Sequence, residues 1–291
     1  MWAKAGCFVG CDFISLKVVC FIQTLNALGL KSFPTMNLAV LVLAAGKGTR
    51  MESDLPKVLH PLLGRPLVAH VLDAARTLLP TRLICIVGHR AELVEAEVLR
   101  SHPEVEFVNQ GEMLGTGHAV LQTQNVLCDF DGEILVTCGD APLLSGETLF
   151  DLVERRRQSN ASAAMLVGRL DAPARYGRVI LGEGGEVERI VEWKDASDEE
   201  RNVQTVNAGT YVFRSQDLWK QLSRVTNDNA SGEYYLTDVV GLLRQSGEKV
   251  VSILVGEREM TGVNTRAELA ELEREMTEEA RLGAENEATP S

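Results

Sequence analysis

Five short runs of aliphatic, largely β-branched residues set the fold class: Leu38 to Leu43, Leu83 to Val87, Val105 to Val108, Ile134 to Cys138 and Ser162 to Val167. Helix-like segments separate them, at Pro66 to Leu79, Ala91 to Arg100, Gly117 to Leu127 and Glu147 to Gln158. Because the runs are apolar at both odd and even positions, each strand must be covered above and below. Strands that alternate with helices in this way predict an α/β fold, with a Rossmann-like, mostly parallel sheet flanked by helices. Ligands of such sheets bind beyond the carboxyl ends of the strands. Two glycine-containing turns, "LAAGKGTR" and "CGDAPLL", fall there.

After about residue 170 the pattern changes. "YGRVILGEGGEVERIVEWKD" reads as hairpin pieces and "VNAGTYVF" as an extended strand, which predicts a smaller antiparallel lobe leaning over the sheet's edge. From Thr265 onward a charged amphipathic helix leads into "GAENEATPS", which reads as a frayed terminus, and residues 272–291 are assigned to that helix and tail. Residues 1–35 carry three of the six cysteines and show no clear period. Met36 directly precedes "NLAVLVLAAG", so the expected start is Met36, the upstream stretch being a disordered extension or a gene-start error.

The formal net charge of −12 excludes general nucleic-acid affinity, which needs a basic face to displace counterions. The cysteines show no zinc-like spacing, and Cys85 and Cys138 lie in strand-like runs, so a reducing, cytoplasmic setting is expected. Asp12, Lys17 and Gln23 interrupt the best candidate membrane span. Any phosphate must therefore be gripped locally.

The loop after the first strand supplies such a grip. Gly46 and Gly48 let backbone amides approach an anion, while Lys47, Arg50 and Lys57 bring positive charge and Pro56 stiffens the approach of Lys57. A Walker loop needs Lys-Ser/Thr after its second glycine, and a dinucleotide fingerprint needs Gly or Ala where Met51 stands, so neither fits. "GKG" alone is equally a strand-to-helix turn with solvated basic residues. In "NQGEMLGTGHAV", Gly115, Thr116 and Gly117 open a helix whose amides can face a ligand, and Gln110 ends a strand with a carboxamide able to read a base edge; alone, this is also an ordinary helix cap. Asp140 ends a buried strand, where a carboxylate requires a cation or a cap, and magnesium suits a triphosphate site.

Taken together, "LAAGKGTRMESDLPK" and these later pieces resemble the sugar-nucleotide pyrophosphorylases, whose signature is G-x-G-T-R-M followed by L-P-K. Within them the chain is most similar to the uridyltransferase domain of bacterial N-acetylglucosamine-1-phosphate uridyltransferases, from Leu38 to about Glu271. The resemblance implies the nucleotide-diphospho-sugar transferase fold, with a nucleotide half of about 36–170 and a sugar-binding half of about 171–271. It implies UTP and a sugar 1-phosphate as substrates and Mg2+ held by Asp140 and Asn264. Arg50 and Lys57 are the implied catalytic residues; Leu43, Ala44, Ala45, Gly46, Lys47, Gly48, Thr49, Gln110, Gly115 and Thr116 the implied nucleotide contacts. Gly139, Gly177, Glu192, Lys194, Asn207 and Asn264 are implied on the sugar side. "NDNASGEYYLTDVV" matches a family segment and reads mainly as scaffold.

Departures from the pattern are Met113, where relatives often carry glutamine, and Cys138, where some carry tyrosine. The hexapeptide repeats of the full-length relatives are not found here, so neither acetyl transfer nor a trimer is carried over. Two rivals stay open: a nucleotidyltransferase acting on glucose 1-phosphate with UTP or dTTP, and a catalytically silent nucleotide-sugar sensor.

Overall fold

A computed structural model describes residues 37–287; the expectations for residues 1–35 lie outside the described residues. The predicted strands form at Leu38–Leu43 (β1), Arg82–Val87 (β4), Glu106–Asn109 (β5), Glu133–Cys138 (β6) and Ala163–Arg169 (β7). Pro61–Leu62 (β2) and Arg65–Pro66 (β3) make a short ribbon, and Leu63 and Gly64 at its tip both take positive φ, the backbone of a tight two-residue hairpin turn. Arg178–Leu181 (β8), Val187–Val191 (β9), Thr205–Arg214 (β10) and Val250–Leu254 (β11) follow. The sheet runs β11-β7-β10-β6-β1-β4-β5, and the β8–β9 hairpin attaches to β10. Strands β6, β1, β4 and β5 are parallel, as their two-faced apolar character requires.

The chain leaves β1 for β4 on one side and later returns as β6 on the other, so a crevice opens where these two paths diverge. Leu43 pairs with Cys138 there, and Gly139 N donates to Leu43 O at 2.9 Å, which sets the two glycine-containing turns side by side. Helices Leu67–Arg76 (α1), Ala91–Ser101 (α2), Thr116–Leu121 (α3) and Gly146–Gln158 (α4) take the predicted places. The third is shorter than expected: past Leu121 the chain continues in turns, where the buried Thr123 hydroxyl donates back to Val120 O at 2.7 Å.

The antiparallel part departs from expectation in position. β10 does not lean over an edge but lies inside the sheet, antiparallel to β6 on one side and β7 on the other. A register shift between Asn207 and Tyr211, with Gly209 at φ 73°, bends the strand. Beyond that bend Val206 pairs with Arg178 of β8. One strand therefore serves the main sheet and the hairpin together. Further helices are Asp198–Arg201 (α5), Ser215–Leu222 (α6), Asp238–Gln245 (α7), Glu257–Met260 (α8) and Arg266–Glu287 (α9). No helix among the described residues is long and apolar enough to cross a membrane.

The helix expected from Thr265 forms, and it docks. A capping box starts α9: Glu268 N donates to Thr265 Oγ1 at 3.1 Å, and Thr265 N donates back to Glu268 Oε2 at 3.2 Å. Leu269, Leu272 and Met276 recur at helical spacing and pack on Met51, Leu62, Leu67 and Val263. The helix also accepts the backbone amide of Leu63 on Glu273 Oε1 at 2.9 Å. A docked helix predicts that Leu269→Ala lowers unfolding free energy by about 2 kcal/mol in a urea titration; an undocked one would leave the midpoint unmoved.

Candidate functional site

The loop leaving β1 is pinned before it is free to bind anything. Ala44 N donates to Ile86 O at 2.8 Å and His89 N to Ala45 O at 3.0 Å, while a side chain on Gly88 would stand 2.9 Å from the Ala45 Cβ. Gly46 and Lys47 are then exposed, and no atom lies within 4 Å of where a Gly46 side chain would begin. Gly48 turns through φ 61° and must lack a side chain because Lys57 passes against it. A single 3₁₀ turn, Thr49–Met51, buries Met51 in the cluster under α9 and leaves Thr49 and Arg50 exposed. Pro56 is buried and opens a second such turn, Lys57–Leu59.

Four side chains widely separated in sequence meet beyond this loop. Arg50 Nη2 donates to Asn264 Oδ1 at 2.8 Å, and Lys57 Nζ donates to the same oxygen at 3.0 Å. Lys57 Nζ also forms an ion pair with the Asp140 carboxylate, with both side chains largely buried. The backbone ties the acidic side together, since Val263 N donates to Asp140 O at 2.8 Å. Asn264 Nδ2 donates to Gly262 O at 2.9 Å, which turns its Oδ1 towards the two cations. Asp140 and Asn264 thus direct one carboxylate and one carboxamide oxygen at a common ammonium. That is the donor set of a hard divalent cation that keeps its remaining positions for water or phosphate. The residues fit magnesium, although no group of three or more His, Cys, Asp or Glu side chains suited to a metal occurs among the described residues.

The piece expected to read the base is built as an interlock. Gln110 is buried, and its Nε2 donates to Gly115 O at 2.9 Å. Gly115 has φ 114°, and a side chain there would begin 2.6 Å from Tyr234 O. Gly117 N donates to Tyr234 O at 2.8 Å, Tyr234 N to Leu114 O at 2.8 Å, and Leu236 N to Thr116 Oγ1 at 3.1 Å. The Thr116 hydroxyl and the Gly117 amide are thus engaged with the "GEYYLTD" segment, which holds the loop's shape.

The residues expected on the sugar side form a second group. Asn207 N donates to Gly177 O at 2.9 Å, and a side chain on Gly177 would lie 3.4 Å from Glu192 Oε2. Asn207 Oδ1 accepts from Gly209 N at 3.0 Å and from the buried Tyr211 hydroxyl at 2.8 Å. Glu192 Oε1 accepts from the Thr237 hydroxyl at 3.1 Å. Burial raises the Glu192 carboxyl above its usual range, opposed by Thr237 and reinforced by Asp238, Asp195 and Glu233. Gly209 stands against Cys138, at the end of the strand that delivers Gly139 and Asp140, and this joins the two groups. Lys194 instead donates to Ser231 Oγ at 3.0 Å, outside the Arg50–Lys57–Asp140–Asn264 cluster.

Residues 39–259 match the family described as Nucleotidyl transferase. The chain belongs to that family. Among curated relatives it is 45% identical to the bifunctional protein GlmU of Oceanobacillus iheyensis over 82% of this chain and 52% of the relative. It is 47% identical to the bifunctional protein GlmU of Exiguobacterium sibiricum over 83% of this chain and 53% of the relative. The chain thus spans about half the length of the curated relatives it matches. Among solved structures, UDP-glucose pyrophosphorylase complexed with UDP-glucose superposes with a TM-score of 0.69 at 17% identity, covering 84% of this chain and 99% of that one. At that identity the likeness shows the fold: a mixed α/β nucleotidyltransferase architecture.

Thr237 and Tyr234, which bond Glu192 and the 114–117 turn, are contacts that reading by motif passed over, as is the buried Arg178 beside Gly177 in sequence. Their signal lay in "GEYYLTD" and "YGRV", pieces whose partners are distant in sequence. The buried Glu192 carboxyl carries a pH consequence. Its folded pKa lies above the ordinary 4.5, so the folded state holds the extra proton and the group's unfavourable contribution is absent in acid. That contribution grows as pH rises above the ordinary value and levels off past the folded one. Glu192→Gln should therefore gain thermal stability relative to the parent protein between about pH 4 and about pH 7, read by melting curves; a constant difference across that range would place the carboxyl in solvent.

Proposed function

We propose that the chain transfers a uridylyl group from UTP to N-acetylglucosamine 1-phosphate, giving UDP-N-acetylglucosamine and pyrophosphate. The observation that carries this reading is the meeting of Arg50, Lys57, Asp140 and Asn264 at the mouth of β1 and β6. The base and sugar choice is supported by "LGTGHAV", "GEYYLTD" and the matched Gly177, Glu192 and Asn207.

The sugar phosphate is already an anionic nucleophile. Its oxygen forms a bond to the α-phosphorus of UTP as the bond from that phosphorus to the bridging oxygen breaks, and the electron pair leaves with pyrophosphate. No general base is needed; the barrier is the approach of two anions in line. Arg50 and Lys57 stabilise the departing pyrophosphate, and the exposed Gly46 and Lys47 turn receives the triphosphate. Asp140 and Asn264 would hold magnesium, which when bound supplies charge neutralisation on the phosphate oxygens. Gly177, Glu192 and Asn207 orient the sugar through its hydroxyl and amide groups, and Lys194, which donates to Ser231 in the free protein, is assigned to the sugar's phosphate.

Pyrophosphate release, measured with UTP, magnesium and in turn N-acetylglucosamine 1-phosphate, glucosamine 1-phosphate and glucose 1-phosphate, tests the assignment. Turnover confined to glucose 1-phosphate would replace it. Arg50→Ala and Lys57→Ala should each reduce turnover by roughly 10²-fold. Normal turnover in both would remove the leaving-group role. Asp140→Asn should shift the magnesium titration to higher concentration; an unshifted curve would place the metal elsewhere.

A further inference from the structure

Arg178 is a charged side chain that the fold buries almost completely, leaving 1% of it exposed. A guanidinium removed from water needs a counter-charge or a full set of acceptors. Among the described residues Arg178 has no carboxylate partner, and backbone carbonyls accept from four of its five N–H groups. Its Nε donates to Arg201 O at 3.2 Å, its Nη2 to Ala174 O at 3.0 Å, and its Nη1 to Pro173 O at 3.4 Å and to Tyr176 O. The guanidinium also lies 5.0 Å from the centroid of the Trp193 ring. Arg201 sits 4.9 Å from the same ring, and its Nε is buried without a hydrogen-bond partner. A second cation beside an unneutralised first one is an expensive arrangement for packing alone.

What the arrangement fixes is specific. Three of the four carbonyls belong to residues 173–176, the turn that delivers Gly177, and Ala174 in that turn is held at φ 40°, a left-handed conformation unfavourable for a residue with a side chain. The fourth carbonyl ends α5, which follows the segment 192–194. Trp193 stands between Glu192 and Lys194 in sequence. One planar fork therefore ties the Gly177 turn to the Glu192–Lys194 segment, two pieces that the sugar-side reading requires in register.

We propose that Arg178 is the positioning residue of the sugar-side cleft, holding Gly177 against Glu192 and Lys194 through backbone carbonyls and the Trp193 ring. This rests on the reaction proposed above. A lysine can replace it only in part, because an ammonium has three donors and no plane with which to span four carbonyls and face a ring. The Arg50–Lys57–Asp140–Asn264 cluster has no hydrogen bond to this clamp, so the two can be separated by experiment.

The test is steady-state kinetics of Arg178→Ala and Arg178→Lys with each substrate varied. The KM for N-acetylglucosamine 1-phosphate should rise roughly tenfold or more in Arg178→Ala, and less in Arg178→Lys, while the KM for UTP stays within about twofold. Low millimolar guanidinium chloride should restore part of the loss in Arg178→Ala where sodium chloride does not. An equal rise in both KM values, or a fall in melting temperature with unchanged KM, would overturn the proposal. Should Arg178→Ala not fold, Trp193→Leu removes the ring while leaving the fork and should give the same split in weaker form. If the parent protein turns over none of the sugar phosphates, the reaction fails, and the clamp is judged by amide hydrogen exchange. Faster exchange at residues 173–177 and 192–194, with residues 44–57 unchanged, supports it; uniform or unchanged exchange refutes it.

Discussion

A single carboxamide oxygen, Asn264 Oδ1, accepts from both Arg50 and Lys57, and through Lys57 reaches Asp140. Each of these groups would be repelled by, or costly without, its neighbours: two cations on one loop, and a carboxylate at the end of a buried strand. Together they leave one positive charge in excess. The grip therefore depends on three chain segments arriving at one point, and much of the fold can be understood as the means of bringing them there. The parallel pair β1 and β6 sets two of the turns side by side, and the backbone bond from Val263 to Asp140 carries in the third.

The second group relies on a different device. β10 bends at Gly209, so that Tyr211 to Arg214 complete the main sheet while Val206 pairs with the hairpin. The Asn207 side chain caps that bend from within, accepting from Gly209 N and the Tyr211 hydroxyl. The bend also rests against Cys138, on the strand that carries Asp140 at its end. The Arg50–Lys57–Asp140–Asn264 cluster and the Gly177–Glu192–Asn207 group are thus joined by covalent continuity and packing rather than by a flexible linker.

The parallel strands and their helices were legible because two-faced apolar runs admit few other uses, and β1 and β6 begin or end within a residue of their expected limits. The grip loop was legible for the same local reason: two glycines, a proline and three cations lie within twelve residues. The position of β10 was not, because an antiparallel strand inserted between two others has the same residue pattern as one at an edge. The docking of α9 was hidden by its charge, since only Leu269, Leu272 and Met276 mark the buried face among many glutamates. The engagement of Thr116 and Gly117 with residues 234–236 was equally invisible, as hydrogen bonds between backbones leave no mark on residue identity.

The hydrophobic cluster beneath α9 has a consequence for the order in which the protein is made. Met51 follows Arg50 directly, and Val263 precedes Asn264 directly, so the same apolar contacts that seat the helix also seat both ends of the cation grip. During synthesis the glycine loop leaves the ribosome about two hundred residues before Val263 and Asn264 do. Until Val263, Leu269 and Met276 have emerged, the basic loop has only half of its greasy anchor and no amide acceptor, and the nascent sheet carries an unfinished mouth.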